Sequence, residues 1–235
     1  MTLLRYKLDL DDPNLSPLGL IVLQVDETLE PEFHEYFSDS KCPIYVSRIP
    51  SGAEVSTDSL AEMEVTLPAA ADLLPKARPY KVVGYACTSA SSVIGSERVE
   101  ELVQETCDVA VVTNPLRAAV ACAGDLGVSK LALLSPYVEE VNETLRAAFD
   151  QQGLSTDVFG SFGESEEAKV ARISVSSIVE AACELGRDPS VEAVFMSCTN
   201  LRTLAAIPQI RALISKPVLS SNQCLAWHMQ CLNSA

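Results

Sequence analysis

Short apolar runs of strand length recur along this chain, separated by stretches whose apolar residues follow a helical period. The runs are Leu18–Leu23, Lys81–Ala86, Val109–Val112, Leu131–Leu134, Ala193–Met196 and Pro217–Leu219. Such near-continuous hydrophobicity belongs to strands covered on both faces. Between the runs, residues 138–151 place Val141, Leu145, Ala148 and Phe149 on one helical face, and Gly153 supplies a stop. Residues 176–185 and 222–232 behave likewise. Strands that alternate with helices call for parallel sheets wrapped by those helices.

The pattern also repeats itself. Gly84-Tyr-Ala-Cys87-Thr-Ser and Phe195-Met-Ser-Cys198-Thr-Asn each end a strand on a cysteine, 111 residues apart. Leu18–Leu23 leads into Gln24-Val-Asp26-Glu-Thr, and at a similar offset Leu131–Leu134 leads into Ser135-Pro-Tyr137-Val-Glu. Matched corners at one spacing point to a duplicated unit. The expected fold is therefore α/β, with two pseudo-symmetric lobes, each a roughly four-stranded parallel sheet flanked by helices. Residues 1–116 with 217–235 form the expected first lobe, and residues 117–216 the second. Ligands of open parallel sheets sit beyond the carboxyl ends of the strands. All four corners lie there, so Cys87 and Cys198 are expected to face one cleft between the lobes.

A formal net charge of −15 opposes a nucleic-acid surface, which needs a basic stripe. Met1–Leu10 carries Arg5, Lys7 and Asp9 and has no apolar signal region, and no apolar run is long enough to span a bilayer. The expectation is a cytoplasmic protein with no membrane partner, whose one macromolecular partner would be a second copy, in a homodimer. The eight cysteines are scattered and include no CxxC pair, so reduced thiols are expected. His34 and His228 lie far from any cysteine pair, and no metal is expected.

A thiol serves as a base when ionised and as an acid when not. A strand-to-helix corner favours ionisation, because unpaired N–H groups and a partial positive charge gather at a helix start. Thr88, Ser89, Thr199 and Asn200 follow the two cysteines, and with Tyr137 they supply donors for a carboxylate. Gln24 and Asp26 are further candidates for contact with substrate. Plainer readings stand beside these. Asp26 could cap the helix that follows, and Tyr137 after Pro136 could be only a packed corner. Cys42, Cys107, Cys122, Cys183, Cys224 and Cys231 read as small core hydrophobes. His34 reads as solvated or partly packed, and His228, beside Trp227, as closing the last helix.

At these residues the sequence resembles the aspartate/glutamate racemase superfamily, and within it the branch of maleate cis–trans isomerase and arylmalonate decarboxylase. The stretches that carry the resemblance are Cys87-Thr-Ser89, Leu134-Ser-Pro-Tyr137, Ser197-Cys-Thr-Asn-Leu-Arg-Thr-Leu204 and Lys216-Pro-Val-Leu-Ser-Ser-Asn222. The resemblance implies a pseudo-symmetric pair of lobes and no cofactor. It also implies that the residues matching Thr88, Ser89 and Tyr137 bind a carboxylate. Decarboxylases of the branch have glycine at the position of Cys87 and keep the cysteine matching Cys198, whereas isomerases and racemases carry both. In the isomerases asparagine stands where this chain has Asp26, and another at about Glu167. Acids there would repel a second carboxylate and favour an ammonium.

The expected function is a cofactor-independent isomerase or racemase acting on a small carboxylate, either an amino acid or a short dicarboxylate, with Cys87 and Cys198 as catalytic groups. The alternatives are a decarboxylase of an arylmalonate-like acid, with Cys198 as proton donor, and a noncatalytic ligand-binding relative. A thiol hydrolase would want a histidine beside its nucleophile. A redox pair would need sulfurs close enough to bridge.

Overall fold

Each apolar run becomes a strand, and two less apolar segments complete the sheets. The computed structural model describes residues 1–9, 16–40 and 42–234. Its strands are β1 (Leu18–Leu23), β2 (Ile44–Ile49), β3 (Tyr80–Ala86), β4 (Val109–Thr113), β5 (Lys130–Ser135), β6 (Ser155–Ser161), β7 (Ala193–Met196) and β8 (Val218–Ser220). In the first half of the chain the helices are α1 (Leu29–Tyr36), α2 (Thr57–Asp72), α3 (Thr88–Ile94), α4 (Ser96–Gln104) and α5 (Pro115–Leu126). The second half carries α6 (Glu139–Gln151), α7 (Glu167–Val170), α8 (Val175–Gly186), α9 (Ile207–Ile214) and α10 (Ser221–Ser234).

The two sheets have the same topology. One runs β2-β1-β3-β4 and the other β6-β5-β7-β8, and every pairing is parallel. The expected α/β fold of two four-stranded parallel sheets is the observed one. Neither β2 nor β6 is among the apolar runs, because each is an edge strand left largely uncovered, whereas the opposite edges β4 and β8 lie against α10 and stay apolar. β2 exposes Tyr45 and Val46 while burying Ser47 and Ile49. Central β1, by contrast, is buried along its whole length.

Local sequence sets the helix ends. Ser56 and Ser59 form a reciprocal capping box at the start of α2. Asn114 caps α5 by accepting from Arg117 N at 3.0 Å, and Gly127, at φ +67°, ends it in a left-handed turn. α10 packs on α5 and across β3, and comes so close that a Cβ at Gly84 would lie 2.7 Å from Met229 Sδ. One buried cluster runs through both halves, joining Met63, Leu67 and Tyr85 to Leu134, Val170 and Leu201.

Two polar devices tie the halves together. Glu32 on α1 is buried, and its Oε1 accepts from Thr203 N and Leu204 N, both at 2.9 Å. Its Oε2 accepts from Asn222 Nδ2 at 2.8 Å. The second device is a clasp between two loops. Val55 N donates to Ser165 O at 2.9 Å and Glu167 N to Ala53 O at 3.0 Å, around an antiparallel bridge between Glu54 and Glu166.

Removing the Glu32 carboxyl takes the acceptor from two backbone amides, Thr203 N and Leu204 N, while Asn222 Nδ2 keeps its bond to Thr199 O, and each lost acceptor costs about 1 kcal/mol or more. Glu32→Ala should therefore lower stability by about 2 kcal/mol, and Glu32→Gln by less, since the amide keeps Oε1 as an acceptor. Urea denaturation of both variants checks the tie, which an unchanged midpoint for Glu32→Ala would disprove.

Candidate active site

The four corners that repeat in sequence meet in space. β3 delivers Cys87 directly into α3, where the cysteine is the N-cap residue and its Sγ accepts from Ala90 N at 3.3 Å. β7 delivers Cys198, whose Sγ accepts from Asn200 N at 3.2 Å. Thr199, next to Cys198, donates from Oγ1 to the carbonyl of Ala86, next to Cys87, at 3.3 Å. Ser221 Oγ lies 2.8 Å from Thr88 Oγ1 and accepts from Cys198 N at 3.0 Å. The two cysteine corners thus share hydrogen bonds although they come from different sheets.

The other two corners bring polar groups to the sulfurs. Tyr137, just beyond β5, has its hydroxyl 2.8 Å from Cys198 Sγ and 3.1 Å from Glu167 Oε1. Asn200 Nδ2 donates to Glu167 Oε2 at 2.8 Å and reaches the Val25 carbonyl at 3.5 Å, so the corners after β1 and β6 abut. Asp26 Oδ1 accepts from Thr28 N and Leu29 N, both at 2.8 Å, while its Oδ2 is buried without a hydrogen-bond partner. Ser89 Oγ is likewise buried and unpartnered. Cys87 is 4% exposed and Cys198 2%.

These residues sort the expectations. Cys87, Cys198, Thr88, Ser89, Tyr137, Thr199, Asn200 and Asp26 are all buried together at the strand ends. Gln24 is not with them: its side chain is exposed, and its backbone N–H is bonded to Ile49 O. The chain turns outward one residue past β1, so the corner pattern alone placed Gln24 on the wrong side. Asp26 both caps and faces inward, one carboxyl oxygen serving each role. Asn200 spends its amide on Glu167 and on Glu27 N, which makes it a positioning residue.

Cys198 does not open a helix as expected. It sits in an irregular turn at φ +102°, and the next helix, α9, begins only at Ile207. A non-glycine residue at such a φ carries backbone strain. Burial outweighs the help that a helix start gives to ionisation. Burial pushes Cys87 up to about 12, with the Glu167 and Asp26 carboxyls adding to the shift. Burial also pushes Cys198 well up, helped by Glu167 and opposed by the Tyr137 hydroxyl. Burial likewise raises the carboxyls of Asp26 and Glu167 above their ordinary range.

Elsewhere, Cys107, Cys122, Cys183 and Cys224 are buried as core residues, but Cys231 is exposed and Cys42 half-buried. His34 is exposed, and His228 stacks on Trp227 with its Nδ1 2.8 Å from Thr113 Oγ1. Among the described residues no three His, Cys, Asp or Glu side chains stand close enough to hold a metal, and no helix is long and apolar enough to cross a membrane.

A sequence model of the arylmalonate decarboxylase family matches residues 18–234, which takes in all four corners. The chain belongs to the arylmalonate decarboxylase family. It is 31% identical over 117 residues to an arylmalonate decarboxylase of Bordetella bronchiseptica, and the match spans 49% of this chain and 46%, about half, of that relative. The maleate isomerase Iso of Pseudomonas putida S16 is similar in structure over 92% of both chains, with a TM-score of 0.83 and 22% identity. A Nocardia farcinica maleate cis–trans isomerase mutant, with a covalently bound succinylcysteine intermediate, matches 94% of this chain and 93% of its own. Its TM-score is 0.81 at 22% identity, which establishes a common fold.

Within this family fold, Ser221 is the site residue that the sequence reading passed over. It lay inside a segment flagged for resemblance, but a serine opening a helix reads as a cap, and nothing local reveals that it touches both cysteine corners.

The raised carboxyls set a pH dependence. A native state that holds protons more tightly than the unfolded chain is most favoured below the ordinary carboxylate range, and that gain is lost as pH rises through the folded pKa values. The exposed Glu27, Glu164, Asp188 and Glu192 shift the opposite way through their hydrogen bonds, so the buried groups are best isolated by difference. The stability of the parent relative to Glu167→Gln should rise as pH falls from neutrality toward the carboxylate range. Urea midpoints across that range test this, and a flat difference would mean that Glu167 is not a raised carboxyl.

Proposed function

We propose that this protein is an isomerase of a small carboxylate, with Cys87 and Cys198 acting from opposite faces of one carbon. The observation that carries the reading is the matched pair of buried thiols at equivalent strand ends, both under the influence of Asp26 and Glu167. Racemisation needs a base on one face and an acid on the other. One thiolate takes the proton from carbon, the opposite thiol returns a proton, and the two sulfurs exchange roles with no net change in protons.

A thiolate must first be formed in a pocket that resists it. Tyr137 offers a route, since its oxygen can accept from the Cys198 S–H while its own proton is directed at Glu167 Oε1. The Cys87 sulfur is instead met by the backbone amide of Ala90, with no phenol hydrogen-bonded to it among the described residues, so the two thiols are inequivalent in how they ionise. The chemistry asks nothing of a cofactor. A decarboxylase is the second reading, favoured by the family match, and it would need only Cys198 as proton donor.

Cys87→Ser and Cys198→Ser should each lower isomerisation by about 100- to 10,000-fold, the usual worth of a general acid or base. Each variant should still exchange the α-hydrogen of one enantiomer in deuterated water. A decarboxylase would instead keep releasing carbon dioxide in Cys87→Gly and stop in Cys198→Ser. Proton NMR and carbon dioxide release on a panel of amino acids, hydroxy acids and dicarboxylic acids separate the cases. Full activity in both serine variants would sink the reading.

A further inference from the structure

We infer that the substrate carries a protonated amine, seated between the carboxyl groups of Asp26 and Glu167. This rests on the reading that Cys87 and Cys198 act on a ligand in this pocket, and it names the class of that ligand. Asp26 is held rigidly, with Oδ1 taken by two backbone amides, yet Oδ2 is buried and accepts no hydrogen bond. The Thr199 hydroxyl stands beside Asp26 and also faces the Ala86 carbonyl at 3.3 Å, so its single proton leaves most of the acceptor capacity of Oδ2 open. A buried carboxylate oxygen without a donor is costly, and native structures satisfy such atoms from solvent or from a ligand.

Glu167 is equally prepared. Tyr137 and Asn200 each bind one of its oxygens, and Asn200 Nδ2 touches both Glu167 and the carbonyl of Val25, which precedes Asp26. The two carboxyls are thus braced on adjoining corners, each with acceptor capacity left over. Arg48, whose charge acts on Asp26, places its hydrogen bonds elsewhere. Arg48 spends Nη1 on the backbone carbonyls of Leu23, Gln24 and Asp26, and Nη2 on Glu30.

An ammonium answers this arrangement with three donors on a compact positive charge. A hydroxyl would bring one donor and no charge, and a second carboxylate would meet like charge at close quarters. The ammonium would also act on the thiols. Asp26 and Glu167 hinder ionisation of both sulfurs, so a cation between the carboxyls relieves that field and readies a thiolate only when substrate is present.

The test is calorimetric binding to the full chain of butyrate and succinate skeletons bearing an amine, a hydroxyl or hydrogen at the second carbon. The amines should bind about thirtyfold or more tightly than their hydroxy counterparts, the scale set by one buried charged contact. Asp26→Asn and Glu167→Gln should each remove about that much from the preference for the amine over its hydroxy counterpart. Equal binding of the hydroxy or unsubstituted acids overturns the inference, as does an unaltered amine preference in the folded Glu167→Gln variant, or no amine binding at all. Amine binding without α-hydrogen exchange keeps the ammonium site and defeats the two-thiol chemistry. Exchange seen only with hydroxy or dicarboxylic acids keeps the thiols and defeats the ammonium site.

Discussion

Everything distinctive about this molecule depends on two sheets aiming their carboxyl ends at one point and being held there. Ser221 Oγ does much of the holding, since it contacts Thr88 Oγ1 and receives the amide of Cys198. The residue opens α10, which packs across β3 of the other half. A single helix start therefore fixes the register of both cysteine corners. The same four-stranded unit placed twice gives two equivalent strand ends, and the crossing point of the pair belongs to neither.

Burial then decides the chemistry of that crossing point. A helix start lends a thiol a few tenths to about 1 kcal/mol of help in ionising, well under one pKa unit. Full desolvation works the other way by as much as about 3–5 units. Desolvation wins at Cys87, which rises to about 12 despite its place at the start of α3. At Cys198 there is no helix to oppose it, and the sulfur's main relief is the Tyr137 hydroxyl. The near-symmetry of the backbone thus carries two thiols with different means of losing a proton.

Much of this was written legibly in the chain. The four interior strands, and the edges β4 and β8 that lie against α10, announce themselves because a strand covered on both faces has nowhere to put polar residues. The edges β2 and β6 do not, because one solvent side breaks the apolar run. The cysteine corners are legible because they recur at one spacing. What stays hidden is whatever depends on long-range satisfaction of polar atoms. Glu32 reads as a helix-surface acid until its bonds to Thr203 and Leu204 are seen, and Asn200 reads as a ligand contact until Glu167 and Glu27 claim it. Gln24 failed for a simpler reason: sequence pattern gives the place of a corner but not the direction of each side chain on it.

The clasp across the lobes ties the backbone of Glu167 to the other half of the chain. Its N–H donates to Ala53 O at 3.0 Å, while its carboxyl oxygens receive the Tyr137 hydroxyl and the Asn200 amide. One residue thus spans the seam with its main chain and, with its side chain, holds the phenol that lies against the Cys198 sulfur. The placement of that acid is set from both lobes at once, and neither half could assemble this arm of the site alone.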